Sequence, residues 1–368
     1  MAVFGVMGCT ALMVSAFGLQ NSINTMLSKQ FTDSDSIVSY DMQVVLNGSY
    51  DTNVAVPDAL NTVSARSEVA ASTLNYMKAT NTGSTNSSKR LETYIMVPEN
   101  ADMFPNYLRL RDADTGKALS LPQNGAVITK KLAKSLGLSV GDSINVFISD
   151  SYVVRVPVAA VAENYIFHYV FMTKEVYTAL FGANPCYNYI MANFKSPLSG
   201  TQKEQLSKEL MSEYDITAVS YSEETQQSFE HILDSLGYVV IILVISAGLL
   251  SFIVLYNLSS ININERIKEI ATIKVLGFRK HEVTAYIFRE NLMLSIFGTA
   301  LGLLLGIALH RMIIAVGEVD ILMFARNAGF LSFLYSAVLS MVFSLCVNIV
   351  LRRNLERVDI VEALKSIE

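Results

Sequence analysis

Tyr238-Val-Val-Ile-Ile-Leu-Val-Ile-Ser-Ala-Gly-Leu-Leu-Ser-Phe-Ile-Val-Leu-Tyr-Asn-Leu258 contains no charged residue, and none occurs between Asp234 and Glu265. About 20 apolar residues in a helix cross a bilayer core, so this stretch reads as a membrane span. Three more charge-free gaps share its character: before Lys29, between Glu290 and Arg311, and between Arg326 and Arg352. Their apolar stretches cover 3–19, 292–309 and 328–351, the first two near the lower limit of length. The composition of the 368-residue chain agrees: 51% hydrophobic and only 17% charged, with mean hydropathy +0.37. Soluble domains carry roughly 25% charged residues, so a soluble enzyme is excluded.

No Lys or Arg precedes the first apolar run, and Gly18-Leu19-Gln20-Asn21-Ser22 is a poor cleavage site, so residues 1–20 read as a retained span in preference to a signal peptide. Orientation follows from the basic residues of the short loops. Residues 259–290 contain Arg266, Lys268, Lys274, Arg279, Lys280 and Arg289, and the tail contains Arg352, Arg353, Arg357 and Lys365. The remaining short loop has only Arg311 and Arg326. The expected order is a first span over 1–20, an extracytoplasmic domain over 21–235, and a second span over 236–258. A cytoplasmic segment over 259–290, spans over 291–316 and 327–351, and a cytoplasmic tail over 352–368 complete it.

The segment 21–235 is large enough to bury a core of its own. It holds 16 Lys and Arg against 23 Asp and Glu, a net of −7, which argues against nucleic acid as a partner. Strand-like runs occur at 37–46, 93–97, 107–111, 143–148, 152–162 and 188–194, and helical patterns at 57–78, 129–136, 174–181 and 201–214. This is a mixed α+β order without regular βαβ alternation. Residues 79–88, made of Ala, Thr, Asn, Gly and Ser, read as a mobile loop.

Chemistry-bearing motifs are scarce. Cys9, Cys186 and Cys346 leave a single thiol in the polar segment, so no disulfide staples it. His281-Glu282 lacks the second histidine of a zinc helix, because position 285 is Ala. There is no metal cluster, no nucleophile elbow and no phosphate loop, so neither catalytic residues nor a resident cofactor are expected. Phe167-His168-Tyr169-Val170-Phe171 and Tyr187-Asn188-Tyr189 read first as core strands and second as a face for an amphipathic ligand. Gly298, Gly302 and Gly306 form a small-residue stripe that lets two helices approach closely. Packing within this chain and packing against a second chain both remain open.

The cytoplasmic run Asn264-Glu-Arg-Ile-Lys-Glu-Ile-Ala-Thr-Ile-Lys-Val-Leu-Gly-Phe278 is the most informative segment. Ile263, Ile267, Ile270, Ala271 and Lys274 recur at helical spacing and give one largely apolar face. Glu265, Arg266, Lys268 and Glu269 occupy the others, and Gly277 supplies a stop. By periodicity such a helix suits the lipid interface first and a groove on a cytoplasmic partner second.

This run resembles the segment after the second span in the FtsX/MacB-like permeases of ATP-binding cassette systems, whose E-R-x-x-E-I…G pattern falls on Glu265, Arg266, Glu269, Ile270 and Gly277. The tail Val358-Asp-Ile-Val-Glu-Ala-Leu-Lys-Ser366 is similar to the family's ending. Asn124-Gly-Ala-Val-Ile-Thr and Leu136-Gly-Leu-Ser-Val-Gly-Asp142 resemble an element of its extracytoplasmic domain. The resemblance implies an α-helical membrane protein with four transmembrane helices and a MacB-like α+β domain between the first and second. It also implies that those five residues couple to a cytoplasmic ATPase subunit. No G-x-x-x-x-G-K-[ST] run exists here, so ATP would be used by that partner and not by an enzyme site in this chain.

The implied work is export or extraction of an amphipathic substrate (an antimicrobial peptide, a lipid or a lipoprotein) by mechanotransmission. A helix over 223–276, about 80 Å long at 1.5 Å per residue, would carry the motion. The alternative is an FtsX-type regulator that activates a cell-wall hydrolase or sensor kinase and transports nothing. Residues 3–23 resemble the start of the second half of larger two-half permeases. The expected further partners are therefore a second permease half or a second copy of this chain, together with membrane lipid, in a bacterial cell membrane.

Overall fold

The computed structural model describes residues 2–51, 57–85, 87–149, 152–213, 215–265, 272 and 280–356. Two compact units divide them. One takes residues 25–231 together with 319–323. The other takes the chain up to Asn24, Ile232–Glu318 and the chain from Phe324 onward.

The first unit is α+β. Its strands are β1 (Met42–Tyr50), β2 (Val69–Ser84), β3 (Ser87–Pro98), β4 (Ala126–Thr129), β5 (Ser143–Phe147), β6 (Val153–Ala162), β7 (Tyr169–Phe171), β8 (Tyr187–Phe194) and β9 (Ile216–Tyr221). The 16-residue β2 organises them. One edge pairs with β3 from Asn75 to Ser84, while the other pairs with β8 at Val69–Asn75 and with β5 at Asn81–Gly83. The order β2-β3-β7-β4-β6-β5 therefore returns to β2 and closes a ring, from which β8, β1 and β9 extend. Closing leaves fewer open edges to protect from pairing with another chain.

Alternation fixes which side faces inward. Along β6, Val154, Val156 and Val158 are buried and Val153, Arg155 and Pro157 are exposed. Val44, Leu74, Ile95, Ile128, Ile144 and Ile190 join them in one core, each worth about 1.5–3 kcal/mol of burial. Short helices close the core. In α3 (Lys130–Leu136), Leu132 is fully buried. The Thr173 hydroxyl caps α4 (Lys174–Phe181) by accepting from Val176 N, and Gly182 ends that helix at φ 71°, a conformation costly for a side chain. A capping box of Ser199 and Gln202 starts α5 (Gly200–Met211).

Several expectations need correction here. The helical pattern over 57–78 is confined to α2 (Asp58–Ser64), and from Val69 the chain is strand. The expected loop at 79–88 is instead the turn end of the β2–β3 hairpin, with Ala79–Ser84 in β2. Its polar residues satisfy one another: Thr82 and Thr93 are fully buried with their hydroxyls 2.7 Å apart, and Arg90 lies 4.1 Å over the Phe147 ring. Residues 107–111 are no strand and make only isolated bridges, Val38 to Leu108 and Arg111 to Ala118.

The second unit is helical. It comprises α1 (Ala2–Leu27) to Asn24, α6 (Ser222–Glu265) from Ile232, α7 (Lys280–Gly317) and α8 (Phe330–Glu356). Among the described residues, four stretches are long and apolar enough to cross a membrane: Val3–Thr32, Ser222–Ile261, Arg289–Gly317 and Phe330–Leu351. The 44 residues of α6 form one helix about 66 Å long, and residues 266–271 and 273–276 of the longer expected rod lie outside the described residues.

Candidate functional site

Glu265 is the last residue of α6 and is exposed. Arg266, Glu269, Ile270 and Gly277 lie outside the described residues. The helix leading to Glu265 is the part of the expected coupling arrangement that the structure describes.

Gly298, Gly302 and Gly306 all face α1. A Cβ built on Gly298 would stand 2.8 Å from Val6 Cβ, one on Gly302 2.6 Å from Thr10 Cβ, and one on Gly306 2.5 Å from Val14 Cβ. The Gly302 position would also stand 2.7 Å from the Met7 carbonyl oxygen, a backbone atom that no rotamer change can move aside. Val6, Thr10 and Val14 are themselves four residues apart, so a ridge on α1 fits the groove of α7.

A seam of polar side chains runs beside this contact. The Ser340 hydroxyl lies 2.9 Å from that of Thr10 and 3.1 Å from that of Thr299. Ser295 and Ser344 pair at 2.7 Å, and Asn291 donates to Asn348 at 3.4 Å. Ser332 donates to the Phe17 carbonyl at 3.1 Å. Near one end of α7, His310 is buried, sits over Gly18 and has Nε2 3.4 Å from the Ser22 hydroxyl. These contacts between neighbouring helices link α1, α7 and α8.

In the α+β unit, residues 319–323 attach through one isolated bridge and two backbone hydrogen bonds. Phe167 N donates to Ile321 O and Met323 N to Tyr165 O, both at 2.8 Å, and Ile166 bridges Leu322. Lys89 and Asp320 form an ion pair at 2.9 Å, and that hydrogen bond holds the Asp320 carboxyl below its usual range. His168 beside it is buried, and neither ring nitrogen reaches hydrogen-bond geometry with a described group. Burial first, and the Lys131 charge second, lower its pKa from 6.5 to about 4. Phe167 is the only described non-glycine residue with positive φ, at 60°, a conformation that costs about 1–2 kcal/mol.

Phe167 is also the joint of an aromatic run. Ring centroids stand 5.7 Å apart for Tyr169–Tyr94 and for Tyr94–Phe167, 6.1 Å for Phe167–Phe229 and 6.3 Å for Phe229–Phe31. All five rings are partly exposed, whereas Phe171 and Tyr187 from the same sequence stretches are buried. Burial and the neighbouring tyrosines Tyr40, Tyr94 and Tyr189 push the Tyr169 hydroxyl above its usual range, so it remains a donor.

Residues 1–211 match the family model for the MacB-like periplasmic core domain, and residues 239–357 match the FtsX-like permease C-terminal model. The chain belongs to the FtsX/MacB-like permease family. Such permeases are components of ATP-binding cassette transporters and work with a cytoplasmic ATPase. No curated protein matches this permease. Among solved structures it is similar to the periplasmic region of MacB from Actinobacillus actinomycetemcomitans, at 13% identity and TM-score 0.32, covering 52% of this chain and 94% of that one. It is also similar to the extracellular domain of the noncanonic ABC-type transporter YknZ from Gram-positive bacteria, at 14% identity and TM-score 0.31, with 49% and 98% covered. A permease domain from Porphyromonas gingivalis is likewise similar, at 14% identity and TM-score 0.29, with 49% and 91% covered.

Sequence reasoning about the permease weighed charge inside the apolar helices and overlooked their hydroxyls. The signal was present: Ser332, Ser336, Ser340, Ser344 and Asn348 recur every four residues, as do Asn291, Ser295 and Thr299. The attachment of 319–323 and the run through Phe229 have no comparable signature, because they join residues far apart in sequence.

Proposed function

We propose that this chain is the permease subunit of an ATP-binding cassette transporter that moves an amphipathic substrate at the outer face of a bacterial cell membrane. Its four apolar helices cross the membrane, the α+β unit lies outside, and the tail lies in the cytoplasm. A separate ATPase subunit engages the segment beginning at Glu265, with Arg266, Glu269, Ile270 and Gly277 as its contact and stop residues. The motion passes along α6 to the α+β unit, with no conducting pore. One observation supports this reading: α6 runs without a break from Ser222, beyond the MacB-like match that ends at residue 211, through the start of the FtsX-like match at 239 to Glu265, where the segment we assign to coupling begins. The helical unit supports leverage in the same way, since Thr10, Thr299, Ser340, Ser295 and Ser344 bond one another and its described apolar cores contain no Asp, Glu, Lys or Arg.

Sealed inverted vesicles containing only this chain and its ATPase test the proposal. ATP-dependent movement of a labelled lipopeptide into the lumen is the expected result. ATP turnover without movement, together with activation of an added cell-wall hydrolase, would establish the regulatory alternative.

A further inference from the structure

We propose that residues 319–323 are an acid-released clasp: they hold the connection between α7 and α8 on the α+β unit at neutral pH, and a proton on His168 frees them. The proposal goes beyond the transport reading and holds whether the chain moves a substrate or regulates a hydrolase. Three observations carry it.

The first is register. The bridge between Ile166 and Leu322 is antiparallel and Phe167 N donates to Ile321 O, so one step further along the chain brings Asp320 to His168. Both the backbone and the carboxylate of Asp320 act on the His168 ring. That ring is 2% exposed, and neither of its nitrogens reaches hydrogen-bond geometry with a described group. The clasp is thus part of what covers it.

The second observation is charge. The charged groups that face the ring are Lys131 from α3, Lys89 from β3 and Asp320 from the clasp. Lys89 and Asp320 pair with each other at 2.9 Å and largely cancel, which leaves the buried Lys131 as the stronger influence. A proton on His168 would create a second cation beside it, out of reach of water. Burial is the larger penalty and the Lys131 charge the smaller, and entry of water relieves both.

The third observation is how slightly the clasp is attached. Its two backbone hydrogen bonds, one bridge and half-exposed ion pair accompany a single buried apolar side chain, Leu322, while Val319 and Ile321 are exposed. The receiving loop is held far better. Asn164 Nδ2 donates to both Ile166 O and Phe167 O, Tyr165 N donates to Gln30 Oε1, and Gln30 Nε2 donates to Asn164 Oδ1. Segments with few buried contacts open first, so the clasp leaves and the loop stays. A histidine that titrates at about 4 when covered and at 6.5 when open binds its proton more tightly in the open form. The clasp is therefore most secure above pH 6.5 and loosens as pH falls toward 4, with the open-to-closed ratio rising by up to about twentyfold between pH 7 and pH 5.

The absence of tryptophan from the protein makes the test direct. Ile321→Trp places a single reporter on the clasp, where the side chain is exposed and the backbone makes the bond. Acrylamide quenching of that tryptophan is followed in the full chain in lipid nanodiscs from pH 7 to about 4.5, with hydrogen exchange corrected for its intrinsic pH dependence. Quenching and exchange at 319–323 should rise along a one-proton curve while exchange in β2 and β6 holds. Adding His168→Gln should keep the clasp shut throughout. Asp320→Asn should raise opening at every pH and leave the one-proton step in place. Should His168→Gln fold poorly, Lys131→Met serves: the covered ring then takes its proton more readily, and the acid opening should shrink. A clasp that stays shut in acid, or that opens equally in His168→Gln or Lys131→Met, would overturn the proposal. So would a step that disappears in Asp320→Asn and persists in His168→Gln, since the carboxylate would then be the titrating group.

Discussion

Both units bury apolar and polar side chains, Leu74 with Thr82 in the α+β unit and Val14 with Thr10 and Ser336 in the helical unit. Their outsides are reversed. Tyr238, Phe297 and Phe330 are 71%, 65% and 79% exposed on the helices, whereas the α+β surface carries ion pairs such as Arg66–Glu209 and Lys29–Glu163. One unit has a surface that suits water and the other a surface that suits hydrocarbon. Where apolar surface gains nothing by leaving its surroundings, close backbone approach and hydrogen bonds must hold helices together. The stripe at Gly298, Gly302 and Gly306 and the seam through Ser340 supply both.

The largest effect should come from the water-organised core. Leu132→Ala is expected to cost about 2–5 kcal/mol, read as a lowered denaturation midpoint, whereas truncating the exposed Ile242 to Ala should change little in a bilayer. An equal loss at both positions would erase the contrast. Next comes acid. Between pH 6.5 and about 4 the unfolded chain binds a proton at His168 that the folded chain does not, so stability rises with pH across that window. Lowering pH from 7 to 4 should cost on the order of 3 kcal/mol through this group, and His168→Phe should flatten that part of the melting profile.

Gly302→Val brings the comparison into the helices. The new side chain meets Thr10 and the Met7 carbonyl, and a penalty of about 1–3 kcal/mol should appear as a lower melting temperature in detergent. Ser340→Ala removes two shared hydrogen bonds, and losses of roughly 0.6–1.7 kcal/mol are usual for such contacts. The smallest effect is expected at the surface. Lys89→Ala should cost below about 1 kcal/mol and loosen residues 319–323 in hydrogen exchange more than it lowers stability.

The two units were also unequally legible. Strong alternation made β5, β6 and β8 readable, and the caps at Thr173 and Ser199 accompany helices visible as periodic runs. The β2–β3 hairpin was hidden because Asn81, Thr82 and Gly83 have the composition of a loop; their strand state comes from pairing on both edges, a tertiary effect. The three residues of β7 are too few to carry a period. In the helical unit apolarity located the helices at once, yet their contacts lie in serines and glycines whose spacing has meaning only when the outer face is taken to be lipid. The strain at Phe167 has no sequence signature, since Phe is a residue that φ 60° disfavours.

The central claim is that α6 delivers force from an ATPase engaged next to Glu265. Co-purification with the cytoplasmic ATPase, with and without Glu265, Arg266 and Glu269 all changed to Ala, tests it most directly. The account predicts loss of the complex and of the ATPase stimulation it brings, while the α+β unit keeps its melting temperature. A complex that survives the triple change with its ATP turnover intact would contradict it.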